Sequence, residues 1–199
     1  MIDVKILEAA KQEVADTLFL KSEKLKSLPL QEQYEFDIDI TKLPPHQTNA
    51  KRGSKYYYEG LKIMGLEPIL NEKRGAVYVF HLPENPDRDE YVKSIINCKK
   101  SIGRNAPSVE NIMKRDFKVL YVGSFKSHFY TRFIQHLGYG TKNTAALQLI
   151  HWAPNLFSKI KMTYLPVDYS DLALHTLMEI AMCKTMVPMI GRMERDKIK

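Results

Sequence analysis

Cysteine is scarce: Cys98 and Cys183 are the only two, and they lack CxxC spacing. That excludes a disulfide framework and argues against structural zinc. No apolar run approaches the ~20 residues that a membrane-spanning helix needs. The leading stretch MIDVKILEAAKQEVADTLFL mixes acids and bases among its apolar positions, which is unlike a signal peptide. A reduced cytoplasm is therefore the expected compartment. No GxGxxG follows a strand-like run and no GxxxxGK[ST] occurs, so no phosphate-cradling loop is visible. Internal repeats and low-complexity tracts are also missing. With 44% hydrophobic residues the chain has enough apolar surface for a real core, which excludes a disordered tail. Its 199 residues fit one domain, or one domain with an appendage.

Acidic charge is in deficit, at 23 Asp+Glu against 30 Lys+Arg for a net +7, and the imbalance is uneven. Residues 1–45 carry 6 basic and 9 acidic side chains, net −3, whereas 46–199 carry net +10. Within 88–132 there are 10 basic and 4 acidic residues. A basic body suggests a polyanionic partner, because Lys and Arg that neutralise phosphates release counterions. The plainer alternative is a lysine-biased solvated surface.

Residues 3–28 have the 3–4 spacing of a helix, through Ile6, Leu7, Ala10, Val14, Leu18 and Leu25, and Leu28-Pro29 ends it. Tyr34–Ile40 alternates apolar and acidic residues, as a half-buried strand does. A Pro- and Asn-containing loop over 43–53 then marks a boundary. The expected organisation is an appendage over 1–53 and a main domain over 54–199. In the main domain a short helix runs from Ser54 to Met64 and a strand over Gly75–Leu82. Helices follow over 88–102 and 108–115. A second strand over Lys118–Gly123 ends at its glycine, and a helix over His128–Leu137 is closed by Gly138. A helix over Thr144–Trp152, a strand over Lys159–Leu165 and a last helix from Ser170 to Met186 complete the order. The fold class is α/β (α+β), with a small central mixed sheet flanked by helices and a helical insertion, 84–117, between the first two core strands.

Chemistry-bearing residues recur at defined places on these elements. Tyr78 and Tyr121 lie on the two successive strands. Arg132 and His136, four apart, share one face of the next helix. Glu179 falls among Leu174, Leu177, Met178 and Met182, where an acid is costly to bury without a partner. Taken singly, the tyrosines are sheet-packing aromatics. Arg132 and His136 are a solvated helix face, and Glu179 is an ion-pair partner for Arg132 or Lys184. Taken in order, Gly75-Ala-Val-Tyr78, Tyr121-Val-Gly123, Arg132-Phe-Ile-Gln-His136 and the Glu179 helix with Pro188 downstream resemble the four blocks of the GIY-YIG nuclease superfamily. The resemblance covers about residues 75–192. It departs from the family in three places. The tyrosines are 43 residues apart instead of being joined by a short turn, a feature of the restriction-type branch. Ala76-Val77 replaces the usual residues of the first block. Gly191 stands where an Asn is common.

What the resemblance implies is phosphodiester hydrolysis with one Mg²⁺ (or Mn²⁺) per site and Glu179 as its sole protein ligand. An ion that keeps several waters suits so few carboxylates. Tyr78, with Tyr121, orients or deprotonates the attacking water. Arg132 grips phosphate and supplies the cation a phenol of pKa ~10 needs to act as a base. His136 accepts a proton or hydrogen bond from Tyr78, or contacts the phosphate. Lys126 adds charge to the same pocket. In the insertion, Lys99, Lys100 and Arg104 form a dense basic stretch that is expected to grip the DNA backbone. Its plainer role is to cover a sheet edge. The expected protein is a small stand-alone restriction-type DNA endonuclease acting on duplex DNA. One active site per chain suggests a homodimer or sequential nicking, and the acidic appendage is a candidate for dimerisation or for packing on the catalytic domain. Two rivals remain: a DNA- or RNA-binding module that has lost catalysis on the same fold, and an unrelated basic protein with chance matches.

Overall fold

The computed structural model describes residues 4–27, 33–45, 55–83, 87–109, 117–141, 143–167 and 172–191. Two units emerge, Met1–Glu32 and Gln33–Lys199. The first is the helix α1 (Val4–Lys26), close to its expected bounds. Its described side chains are almost all exposed, including Val14, Leu18, Phe19 and Leu20. None of the helices among the described residues is long and apolar enough to cross a membrane.

The second unit is α+β. Strands β1 (Tyr34–Asp39), β2 (Arg74–His81), β3 (Val119–Ser127) and β4 (Lys159–Val167) form one sheet in the order β1-β4-β2-β3. Every strand pair is antiparallel, so the mixed sheet expected from sequence is corrected. The parallel element is a single bridge, Val119 to Pro188. β1 is not part of an appendage. Its apolar alternation seats Ile38 in the core and pairs six residues with β4, which moves the boundary from residue 53 to residue 32. The acidic face that alternates with it, with Glu35 near Lys161, blunts this edge of the sheet.

Helices α2 (Lys55–Ile63), α3 (Glu67–Leu70), α4 (Arg88–Asn97), α5 (Phe129–Leu137) and α6 (Leu172–Met186) complete the unit. The Asp87 carboxylate caps α4 by accepting from the amides of Asp89 and Glu90. One π turn, Cys98–Ile102, extends α4 to Gly103. The helix expected over 108–115 lies mostly outside the described residues, and Ser108 and Val109 are not helical.

Strand β2 is buried from Gly75 to Phe80, because both sheet faces are covered. On one face Val79, Val119 and Val122 pack against Met182, Cys183 and Met186 of α6. On the other, Tyr78 and Phe80 join Phe129 and Phe133 of α5 in the main core. Two sequence expectations fail locally. β3 does not stop at Gly123 but runs on to Ser127, still paired with β2. Residues 144–152 form no α-helix. Gln148 has φ 59, and short 3₁₀ turns follow at Leu149–His151 and Ala153–Asn155. Around Leu147 the backbone groups that a helix would use are bonded to side chains instead, as described next.

Candidate active site

In the β2–β3 register Tyr78 stands opposite Gly123 and Phe80 opposite Tyr121, so the two phenols share one face of the sheet. Their ring centroids are 6.2 Å apart. Gly123 is what allows this. A Cβ there would lie 2.6 Å from Tyr78 Oη and 2.7 Å from the Tyr121 ring. The Tyr78 side chain crosses β3 through the space a side chain would fill. This is a reason for glycine within a strand, where it is otherwise unfavourable.

Helix α5 follows β3 after a left-handed residue, His128, and it lies on the same face as the phenols. His136 is fully buried and its ring centroid is 5.3 Å from Tyr78 and 5.0 Å from Tyr121. Its Nε2 is 2.8 Å from Tyr78 Oη, and the Leu147 N–H donates to its Nδ1 at 3.1 Å. A backbone N–H can only donate, so Nδ1 carries no proton. Nε2 therefore holds the hydrogen and donates it to the Tyr78 oxygen. Burial, reinforced by the Arg132 charge, pushes the imidazole pKa well below its ordinary value, which agrees with a neutral ring. His136 thus does not accept from Tyr78, which corrects that part of the sequence reading.

Arg132, one turn before His136, donates to Gln135 Oε1 at 2.9 Å and lies close enough to both phenols for its charge to act on them. Burial raises the pKa of Tyr78 well above the usual phenol value, and the guanidinium opposes that rise without cancelling it. Tyr121 is raised in the same way. Both are phenols, not phenolates, at neutral pH. Tyr78 is only 1% exposed, and its Oη accepts from His136 Nε2.

Glu179 approaches from the opposite face. Ser124, the residue after Gly123, points away from the phenols by strand alternation. Its Oγ donates to Glu179 Oε2 at 2.5 Å. The carboxylate is close enough to raise both phenol pKa values. The structure therefore brings Tyr78, Tyr121 and His136 into direct contact, sets Arg132 near enough for its charge to act on all three, and holds Glu179 on Ser124 at the other face of β3. Exposed Lys126 shares the Ser124 face by the same alternation. No cluster of three or more metal-ligating side chains exists among the described residues. A single carboxylate fits a hard cation that keeps most of its waters, and fits poorly a metal that demands four protein ligands.

The basic stretch divides. Lys99 and Lys100 are exposed, but Arg104 is only 5% exposed. Its Nη1 donates to the Gly140 carbonyl at 3.1 Å and to Gln148 Oε1 at 3.0 Å. The expected phosphate contact by Arg104 is corrected, because its guanidinium faces inward. Gly191 has φ 112, and a Cβ there would come within 3.1 Å of the Tyr121 ring. A larger residue at this position would meet both strain and contact. Ser124, Gln135 and the Leu147 amide escaped the sequence reading. Ser124 carried one usable signal, its place immediately after the second tyrosine block. The Leu147 amide carried none, being a backbone group brought in by a turn.

The chain matches no protein-family model, no curated protein and no solved structure.

Proposed function

We propose that this protein is a metal-dependent DNA endonuclease of the GIY-YIG kind, hydrolysing phosphodiester bonds in duplex DNA. The observation that supports this most is the Arg132–Tyr78–Tyr121–His136 cluster. A guanidinium, two phenols and an imidazole within an aromatic core are costly to desolvate, and an apolar set of similar volume would stabilise the fold at least as well. Such clusters are concentrated at sites of chemistry.

In this reading Glu179 would hold one Mg²⁺ or Mn²⁺, which would supply positive charge to the reacting phosphate. The remaining roles belong to the chain. Arg132 binds a non-bridging phosphate oxygen with guanidinium donors other than the one on Gln135. Tyr78 orients the attacking water through its hydroxyl group. The His136 Nε2–H, donating to Tyr78 Oη, holds the phenol in place for that role. Tyr121 fixes the other side of Arg132. Ser124 orients the Glu179 carboxylate. Lys126, Lys99 and Lys100 contact the backbone of the duplex. The described residues of each chain hold one such cluster, so two cuts in duplex DNA require a homodimer or sequential nicking.

Supercoiled plasmid with Mg²⁺ or Mn²⁺ tests this reading. Conversion to nicked or linear forms that stops with chelator and returns with excess metal is expected. Binding of the same plasmid without cleavage, with either metal, favours the non-catalytic binding module instead.

A further inference from the structure

Arg104 belongs to the long segment between the two tyrosine strands, yet its contacts lead to His136. It follows Gly103, whose φ of 64 ends the π turn. Its guanidinium joins Gly140 and Gln148, at either side of the turn that follows α5. Gln148 in turn donates from Nε2 to the Thr144 carbonyl at 3.0 Å. It holds a left-handed φ of 59, a conformation that a non-glycine residue keeps only when its surroundings impose it. The neighbouring Asn105 reaches the Asn143 carbonyl at 3.3 Å. From α4, Ser94 Oγ bonds the Trp152 carbonyl at 2.8 Å, and the Trp152 indole N–H donates to the Leu147 carbonyl. The Leu147 peptide is thus held at both ends, with its carbonyl on Trp152 and its N–H on His136 Nδ1.

We propose that Arg104 is a positioning residue: it anchors the turn that aims the Leu147 amide at His136, and so fixes His136 as the donor to Tyr78. The kinetic consequence rests on the nuclease reading above, whereas the structural one does not. The inserted segment then has a function besides DNA contact. It completes the wall that sets the tautomer of a site histidine, and the orientation of such a ring is usually set by the partner of its second nitrogen.

The test uses the full chain labelled with ¹⁵N. In the wild type, imidazole correlations should show protonated Nε2 and an accepting Nδ1, with a hydrogen-bond coupling to the Leu147 amide nitrogen. Arg104→Met should lose that coupling or populate the other tautomer. Its kcat on DNA should fall on the order of tenfold, the low end for lost supporting contacts, with DNA affinity unchanged. If Arg104→Met does not fold, Gln148→Asn gives the same reading, since Asn tolerates the left-handed φ but shortens the arm. A wild-type His136 protonated on Nδ1 overturns the proposal. So do unchanged His136 signals in either folded variant, or a loss of DNA affinity with those signals unchanged. If the wild type cleaves no DNA, the nuclease reading fails, while the imidazole signals still decide the role of Arg104.

Discussion

Gly123 is where the site depends on a single atom, since a methyl group there would stand 2.6 Å from the hydroxyl of Tyr78. Gly123→Ala should destabilise the unit by about 1–3 kcal/mol, the usual cost of forcing volume into a packed position. It should also displace the phenol that His136 contacts. Chemical denaturation and the near-ultraviolet signal of the tyrosines would show both effects, and a variant as stable as the wild type with an unaltered spectrum contradicts the packing described. The sequence carried this residue as part of a Tyr-Val-Gly block, and it carried the Arg132 and His136 spacing on one helix face. It could not carry the direction of the His136 hydrogen bond. That direction is set by a backbone amide eleven residues later. Nor could it tell Arg104 from Lys99 and Lys100, because three cations in one stretch look alike until partners for one of them are brought in from residues 140 and 148.

At the scale of elements, strong periodicity was legible and sheet membership was not. Apolar alternation marked β1, and spacings of three and four marked α1, but alternation does not say which strand lies alongside. Composition suggested a boundary in the loop near residue 53, whereas β4 claims β1 as its neighbour. The helix expected over 144–152 failed because tertiary partners took up the backbone of Leu147 and forced Gln148 left-handed. Two truncations separate these views. A chain starting at Gln33 should keep the cooperative unfolding of the sheet unit, because the described side chains of α1 are exposed. A chain starting at residue 54 should lose much of that stability, since it exposes the ladder edge of β4 and removes buried Ile38, Ile40 and Leu43. Equal melting temperatures for the two would contradict the placement of β1.

For the molecule as a whole, charge and titration give further expectations. The net +7 is concentrated away from α1 and β1, and exposed Lys99 and Lys100 fall within the densest basic stretch. Replacing both with Glu should weaken DNA binding at every sequence and reduce its dependence on salt. Unchanged binding would remove these lysines from the interface. Stability should be highest between the ordinary histidine and tyrosine pKa values, about 6.5 and 10. Burial lowers the folded pKa of His136 and of His81, so the neutral rings favour folding above the ordinary histidine value. That contribution is lost as pH falls below it. Burial raises Tyr78, Tyr91, Tyr121 and Tyr164, so their protonated forms favour folding up to the ordinary tyrosine value. That contribution is lost as pH climbs past it. Urea denaturation across this range should trace a plateau with a fall on each side. A continued rise in stability above the tyrosine value would contradict burial of the four phenols.

The central claim is that Arg132 and Glu179, on opposite faces of β3, serve one hydrolytic site. The most direct measurement is the rate of plasmid cleavage by wild type, Arg132→Ala and Glu179→Ala, prepared side by side at one Mg²⁺ concentration and shown to be folded. The account predicts wild-type cleavage and a loss on the order of a hundredfold or more in each variant, as for removal of a group that stabilises developing charge. Equal cleavage by all three preparations would contradict it.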